Sequence, residues 1–174
     1  MGKRREGREA AVQFLYQLDL HGETVAADPA GFWALRSGPG TADTPAKTRA
    51  FAEQLVHGVN THREEIDARI RDCTANYELH RLAAVDRNIL RVAIFELLHS
   101  LDVAPVVIIN EAIEIAKKFG TEKSGGFVNG VLDRIKKDIN RPARVPAAPR
   151  DQKSVLSAQC PADQKASKPT PTDS

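Results

Sequence analysis

Lys3, Arg4, Arg5 and Arg8 crowd the start of the chain, and their type and spacing are suited to binding polyanions. If this stretch is helical, Arg4 and Arg8 lie one turn apart and project with Arg5 toward one side. Guanidinium groups meet phosphates and the edges of unpaired bases through several hydrogen bonds at once, whereas lysine offers a less directional charge. The same cluster also reads as a solvated basic helix start, and the residue types alone leave both readings open. A second group lies far along the chain: Lys118, Lys123, Phe127 and Asn129, the last two just behind the Gly125–Gly126 pair. There a phenylalanine can stack an unpaired base and an asparagine can read its edge, supplying a sequence preference that phosphate contacts cannot. The plainer alternative is a core phenylalanine and a capping or structural asparagine.

Covalent chemistry has no comparable signature. The sequence holds no phosphate-cradling glycine loop, no GxSxG elbow, and no set that supplies nucleophile, base and oxyanion donors. Glu111 and Glu114 share a helical face but read as a solvated pair. His21, His57, His62, His80 and His99 show no HExxH or Cys/His pairing, so they read as surface or satisfied side chains, and no metal or cofactor is expected. Cys73 and Cys160 lack paired spacing, which argues against a disulfide framework and for a reducing cytoplasm. With 25 basic against 23 acidic residues and a formal net charge of +2, affinity for nucleic acid must come from uneven placement of charge. No run approaches the roughly 18 apolar residues of a spanning helix, and the start resembles no secretory signal.

The elements that must carry these residues are helical. Ala11, Phe14, Leu15 and Leu18 recur at helical spacing over residues 3–20, followed by Gly22 as a stop. Phe32, Trp33 and Leu35 mark a short helix before a turn-rich loop. Phe51, Leu55, Val59, Ile66 and Ile70 form a core-facing stripe, helical throughout, whose continuity is open because Gly58 is the point at which it could divide into two helices. Residues 81–101 carry an apolar arc too wide for a surface helix, with Val85, Ile89, Leu90, Ala93, Ile94, Leu97, Leu98 and Leu101, and so belong at the centre of the core. Pro105 and Gly120 bracket another helix, and Ser124 is placed to cap a last one buried through Phe127, Val128, Val131, Leu132, Ile135 and Ile139. No alternating strand pattern is present. Beyond Asn140, Pro, Ala, Ser, Lys and Asp dominate, so residues 141–174 read as a disordered tail behind a domain of residues 1–140.

Three segments carry more than periodicity: RREGREAAVQFLYQLDL at 4–20, VDRNILRVAIFEL at 85–97, and INEAIEIAKKFGTEKSGGFVNGVLDRI at 109–135. In order and spacing they resemble the NusB family of transcription antitermination factors over residues 3–139. The resemblance implies an all-α, compact bundle of about seven helices that is not an enzyme. It implies binding of the boxA element of ribosomal RNA leader transcripts jointly with NusE, a small-subunit ribosomal protein, within the RNA polymerase elongation complex and its other Nus factors. Under this resemblance Lys3, Arg4, Arg5, Arg8, Lys118, Lys123, Phe127 and Asn129 fall on the RNA surface, and Tyr16 and Asp86 on the protein-partner surface. Asp86 also reads as a helix-capping carboxylate. Three positions depart from the family pattern. Glu6 stands where a basic residue is usual and weakens the local field. Gly7 replaces an alanine at a cost of roughly 0.5 to 1 kcal/mol of helix stability. The Gly125–Gly126 pair takes the place of a lysine. Two alternatives remain on the sequence: a structural helical homodimer, and an RNA-binding module like that of ribosomal RNA cytosine methyltransferases, which would need a methyl-donor fold downstream.

Overall fold

The computed structural model describes residues 2–22, 29–37, 44–74, 78–100 and 102–139. The chain divides into two units, Met1–Arg144 and Val145–Ser174, and every described residue lies in the first. Leu101 and the tail expected over 141–174 fall outside the described residues. Within them are seven α-helices and no strand: α1 (Lys3–His21), α2 (Pro29–Arg36), α3 (Ala46–Thr61), α4 (Arg63–Cys73), α5 (Ala84–His99), α6 (Pro105–Phe119) and α7 (Ser124–Asp138), with a 3-10 turn at Leu79–Arg81. None of these helices is long and apolar enough to cross a membrane.

The bundle is organised around α5. Ile89, Leu90, Ile94 and Leu97 are fully buried, and the helix packs against α1, α3, α4, α6 and α7. Its wide apolar arc leaves no room for a solvated face, so its polar residues Asn88, Arg91 and Glu96 are buried too and must find partners inside.

Local sequence sets most of the boundaries. Pro105 starts α6 where its missing N–H leaves no bond unmade, and Lys136 and Lys137 end α7 with charge that suits its C-terminal dipole. Two expectations are corrected. The break in the middle stripe falls at His62, and Gly58 lies inside α3. A Cβ at Gly58 would stand 2.1 Å from Phe95 Cζ, so this glycine allows α3 to close on α5. Ser124, for its part, is the first residue of α7 and does not cap it. Its Oγ accepts from Thr121 N at 2.8 Å and donates to Asp86 Oδ2 at 3.1 Å, joining the start of α7 to the start of α5.

Candidate nucleic-acid interface

The basic start of α1 separates into three kinds of cation. Lys3 is exposed, and Arg4 reaches Asp102 only at 3.5 Å, with side chains 63% and 66% exposed. Such a pair is screened by water and contributes little to stability. Arg5 grips Glu111 of α6 through Nε and Nη2, both at 2.8 Å. The hydrogen bond and charge of Arg5 hold the Glu111 carboxyl below its ordinary range, and Glu111 in turn raises the pKa of Arg5.

Arg8 does not join them. Its Nε and Nη2 meet Glu96 of α5 at 2.7 Å each, with side chains only 4% and 2% exposed. The expectation that Arg8 faces RNA is corrected by this geometry, because its donors on that fork are spent on a buried carboxylate. Residues 7–12 of α1 are all buried, so position 8 turns toward α5 although position 4, one turn earlier, lies beyond the edge of the core.

Phe51 of α3 links the two arginines. The guanidinium carbons of Arg4 and Arg8 lie 5.7 and 5.6 Å from its ring centroid, within cation–π range. Gly7 makes room for this ring: a Cβ there would be 2.7 Å from Phe51 Cδ1 and 3.3 Å from the Thr48 carbonyl oxygen. What reads in the sequence as a weak point of the helix is therefore a close approach between α1 and α3. Arg4, Arg5, Val107 and Glu111 line a cavity of about 330 Å³ beside the helix start.

The second group gathers at the α6–α7 turn. Lys118 Nζ sits 2.6 Å from Glu9 of α1 and 5.0 Å from the Phe119 ring centroid, fastening the turn to α1. Lys123 is exposed at the start of α7, Asn129 is half-buried, and Phe127 packs one side against the core while remaining partly accessible. One part of the Phe127 ring is thus held in the core and another part is left accessible.

Tyr16 lines a groove of about 890 Å³ together with Leu20, Leu35, Lys118 and Phe119. Leu20 and Leu35 are 58% and 76% exposed, unusual for side chains that gain by burial. Asp86 is not among the groove-lining residues. It sits in the first turn of α5 with Oδ2 held by Ser124, and its Oδ1 is buried without a hydrogen-bond partner.

A NusB family model matches residues 5–137. The transcription antitermination protein NusB of Myxococcus xanthus is 44% identical over 142 residues, covering 82% of this chain and 100% of that protein. The chain belongs to the NusB family. Among solved structures it is similar to T. maritima NusB, with a TM-score of 0.68 and 36% identity over 82% of this chain and 94% of the other. It is equally similar, at a TM-score of 0.68 and 30% identity over 79% of this chain and 98% of the other, to a chain in the crystal structure of antitermination factors NusB and NusE in complex with double-stranded RNA.

In this NusB-family chain, sequence reasoning missed one constellation entirely. Asp19 of α1 accepts hydrogen bonds from Arg63 Nη2 at 2.7 Å, Arg87 Nη2 at 2.9 Å, Asn88 Nδ2 at 3.0 Å and Arg91 Nη1 at 3.1 Å. Arg91 also grips Asp67 of α4 at 2.8 and 2.9 Å. Burial alone would raise the Asp19 pKa, but the hydrogen bond from Arg87 and the charge of Arg91 outweigh it and hold the carboxyl at about 2. The available signal was Asn88 and Arg91 set among the large apolar residues of a helix expected at the centre of the core, a pattern that demands buried partners.

Proposed function

We propose that this chain is a transcription antitermination factor that binds boxA-type RNA of ribosomal RNA leader transcripts together with NusE, and so helps RNA polymerase elongate through terminators. The observation that carries the reading is its likeness, over nearly the whole of the other chain, to a structure of NusB and NusE with RNA. The geometry supports it. Lys3 and Arg4 are exposed at the start of α1 and able to meet phosphates, Arg5 is half-buried beside them, and the α6–α7 turn carries Lys118, Lys123, Phe127 and Asn129. Arg8 is assigned instead to holding α1 in place.

The groove at Tyr16, with its exposed leucines, is the protein-partner surface in this reading, and Asp86 supports it by fixing the start of α5. Two modest interfaces joined in one complex raise affinity through effective concentration, so neither need bind tightly alone. The proposed setting is the cytoplasm, the RNA-binding unit ends near residue 140, and no bond-making step is involved.

The test is fluorescence anisotropy of a short boxA-like RNA and a scrambled control at near-physiological salt, with and without NusE. Preference for boxA that NusE strengthens is the expected result. Equal binding of both RNAs in both conditions would overturn the reading and favour the helical homodimer.

A further inference from the structure

Gly58 brings more than two helices together. With no side chain at that position, the Phe95 ring of α5 seats against α3, and one turn further along His62 follows the end of α3. His62 stacks on His99, the last residue of α5, with ring centroids 4.0 Å apart and planes inclined by 29°, while Phe95 stacks on His99 at 5.1 Å. Glu65, in the first turn of α4, completes the group: its Oε2 lies 3.9 Å from His62 Nδ1 and 4.0 Å from His99 Nε2. Its other oxygen, Oε1, lies 3.5 Å from Arg69 Nη2 in an exposed pair.

We propose that His62, Glu65 and His99 form a binding site for a divalent transition-metal ion of the zinc class, which clamps the α3–α4 junction to the C-terminal end of α5. Two imidazoles and one carboxylate are a donor set that zinc takes readily, with water in the remaining position. One donor atom from each residue already lies within 4.8 Å of the others. A tetrahedral shell with bonds of about 2.0 to 2.1 Å needs donors roughly 3.3 Å apart with their lone pairs converging, so closure requires the two imidazoles to swing out of their stacked arrangement, which their partial exposure allows. All three side chains are partly exposed, giving the ion an entry path and the shell its water, while Phe95 walls the inner side. The C-terminal end of α5 carries partial negative charge that favours a cation, set against the positive start of α4 and the nearby Arg69. The α3–α4 junction, the first turn of α4 and the last residue of α5 contribute one ligand each, so the ion ties the junction to α5.

The site is tested by titrating Zn²⁺ into the full-length chain, reading heat of binding and the thermal unfolding midpoint. One ion per chain and a higher Tm are expected. His62→Gln and His99→Gln should each weaken binding at least tenfold and abolish the rise in Tm, while His57→Gln, exposed and outside the cluster, should change neither. Circular dichroism confirms that the variants fold, and should one of the two not fold, the other decides. Absence of Zn²⁺ binding by the wild type, or binding unchanged in the folded His62 and His99 variants, would overturn the proposal.

Discussion

Arginine serves opposite purposes at the two sides of α1. At the outer edge, Arg4 is largely in water and its distant pairing with Asp102 leaves it free to exchange partners. One turn on, Arg8 is locked to Glu96 in the interior, and near the end of α1 Asp19 gathers three arginines and Asn88. The difference is where the chain places water, since an exposed cation gains from meeting an anion that arrives, whereas a buried one has already spent its donors and leaves an unpaired charge if disturbed. Residue type and helical register match, but the neighbours do not.

The sharpest way to break this contrast is Arg8→Ala. Glu96 would be left buried without its partner, and the loss expected in urea unfolding is about 3 to 5 kcal/mol. Arg8→Met combined with Glu96→Leu should recover most of that stability, because replacing both charges by apolar groups removes the stranded one. A loss below about 1 kcal/mol for Arg8→Ala would return Arg8 to the outer surface. Phe127→Ala sits between the two regimes, and RNA affinity should fall by about 1 to 3 kcal/mol with little change in salt dependence if a base stacks on the ring.

Asp19 sharpens the comparison through pH. Its carboxyl titrates at about 2 in the folded chain against an ordinary 3.8, so its stabilising share is present above the ordinary value and is lost as pH falls through about 2. That share is about 2.5 kcal/mol at most, at roughly 1.4 kcal/mol per pKa unit, and unfolding curves of the wild type and Asp19→Asn should converge toward low pH. Curves that stay parallel down to pH 2 would contradict the assignment. A smaller stability effect belongs to Gly7→Ala: crowding of Phe51 should outweigh the gain in helix propensity and leave a net loss of about 1 kcal/mol by thermal unfolding.

Much of the fold was legible because its signals are local. The period of the apolar residues set α1, α5, α6 and α7, and Pro105 marked a start that the structure repeats. What escaped was decided by distant partners. Nothing near Arg8 distinguishes it from Arg4, since Glu96 lies 88 positions away. Gly58 looked like a helix break because glycine is a poor helix former, yet its role is set by Phe95 on another helix. Ser124 looked like a cap and instead bonds Asp86 across the bundle. Within the candidate interface, the cluster of cations was visible in the sequence, but which of them face solvent was not.

The most direct test of the central claim is the salt dependence of boxA RNA binding by Lys3→Gln/Arg4→Gln. If these exposed side chains each meet a phosphate, the slope of log affinity against log salt should become shallower by about 1.4, at roughly 0.7 per contact, with unfolding stability changed by less than about 0.5 kcal/mol. An unchanged slope in the folded double variant would show that the open start of α1 is not where RNA binds.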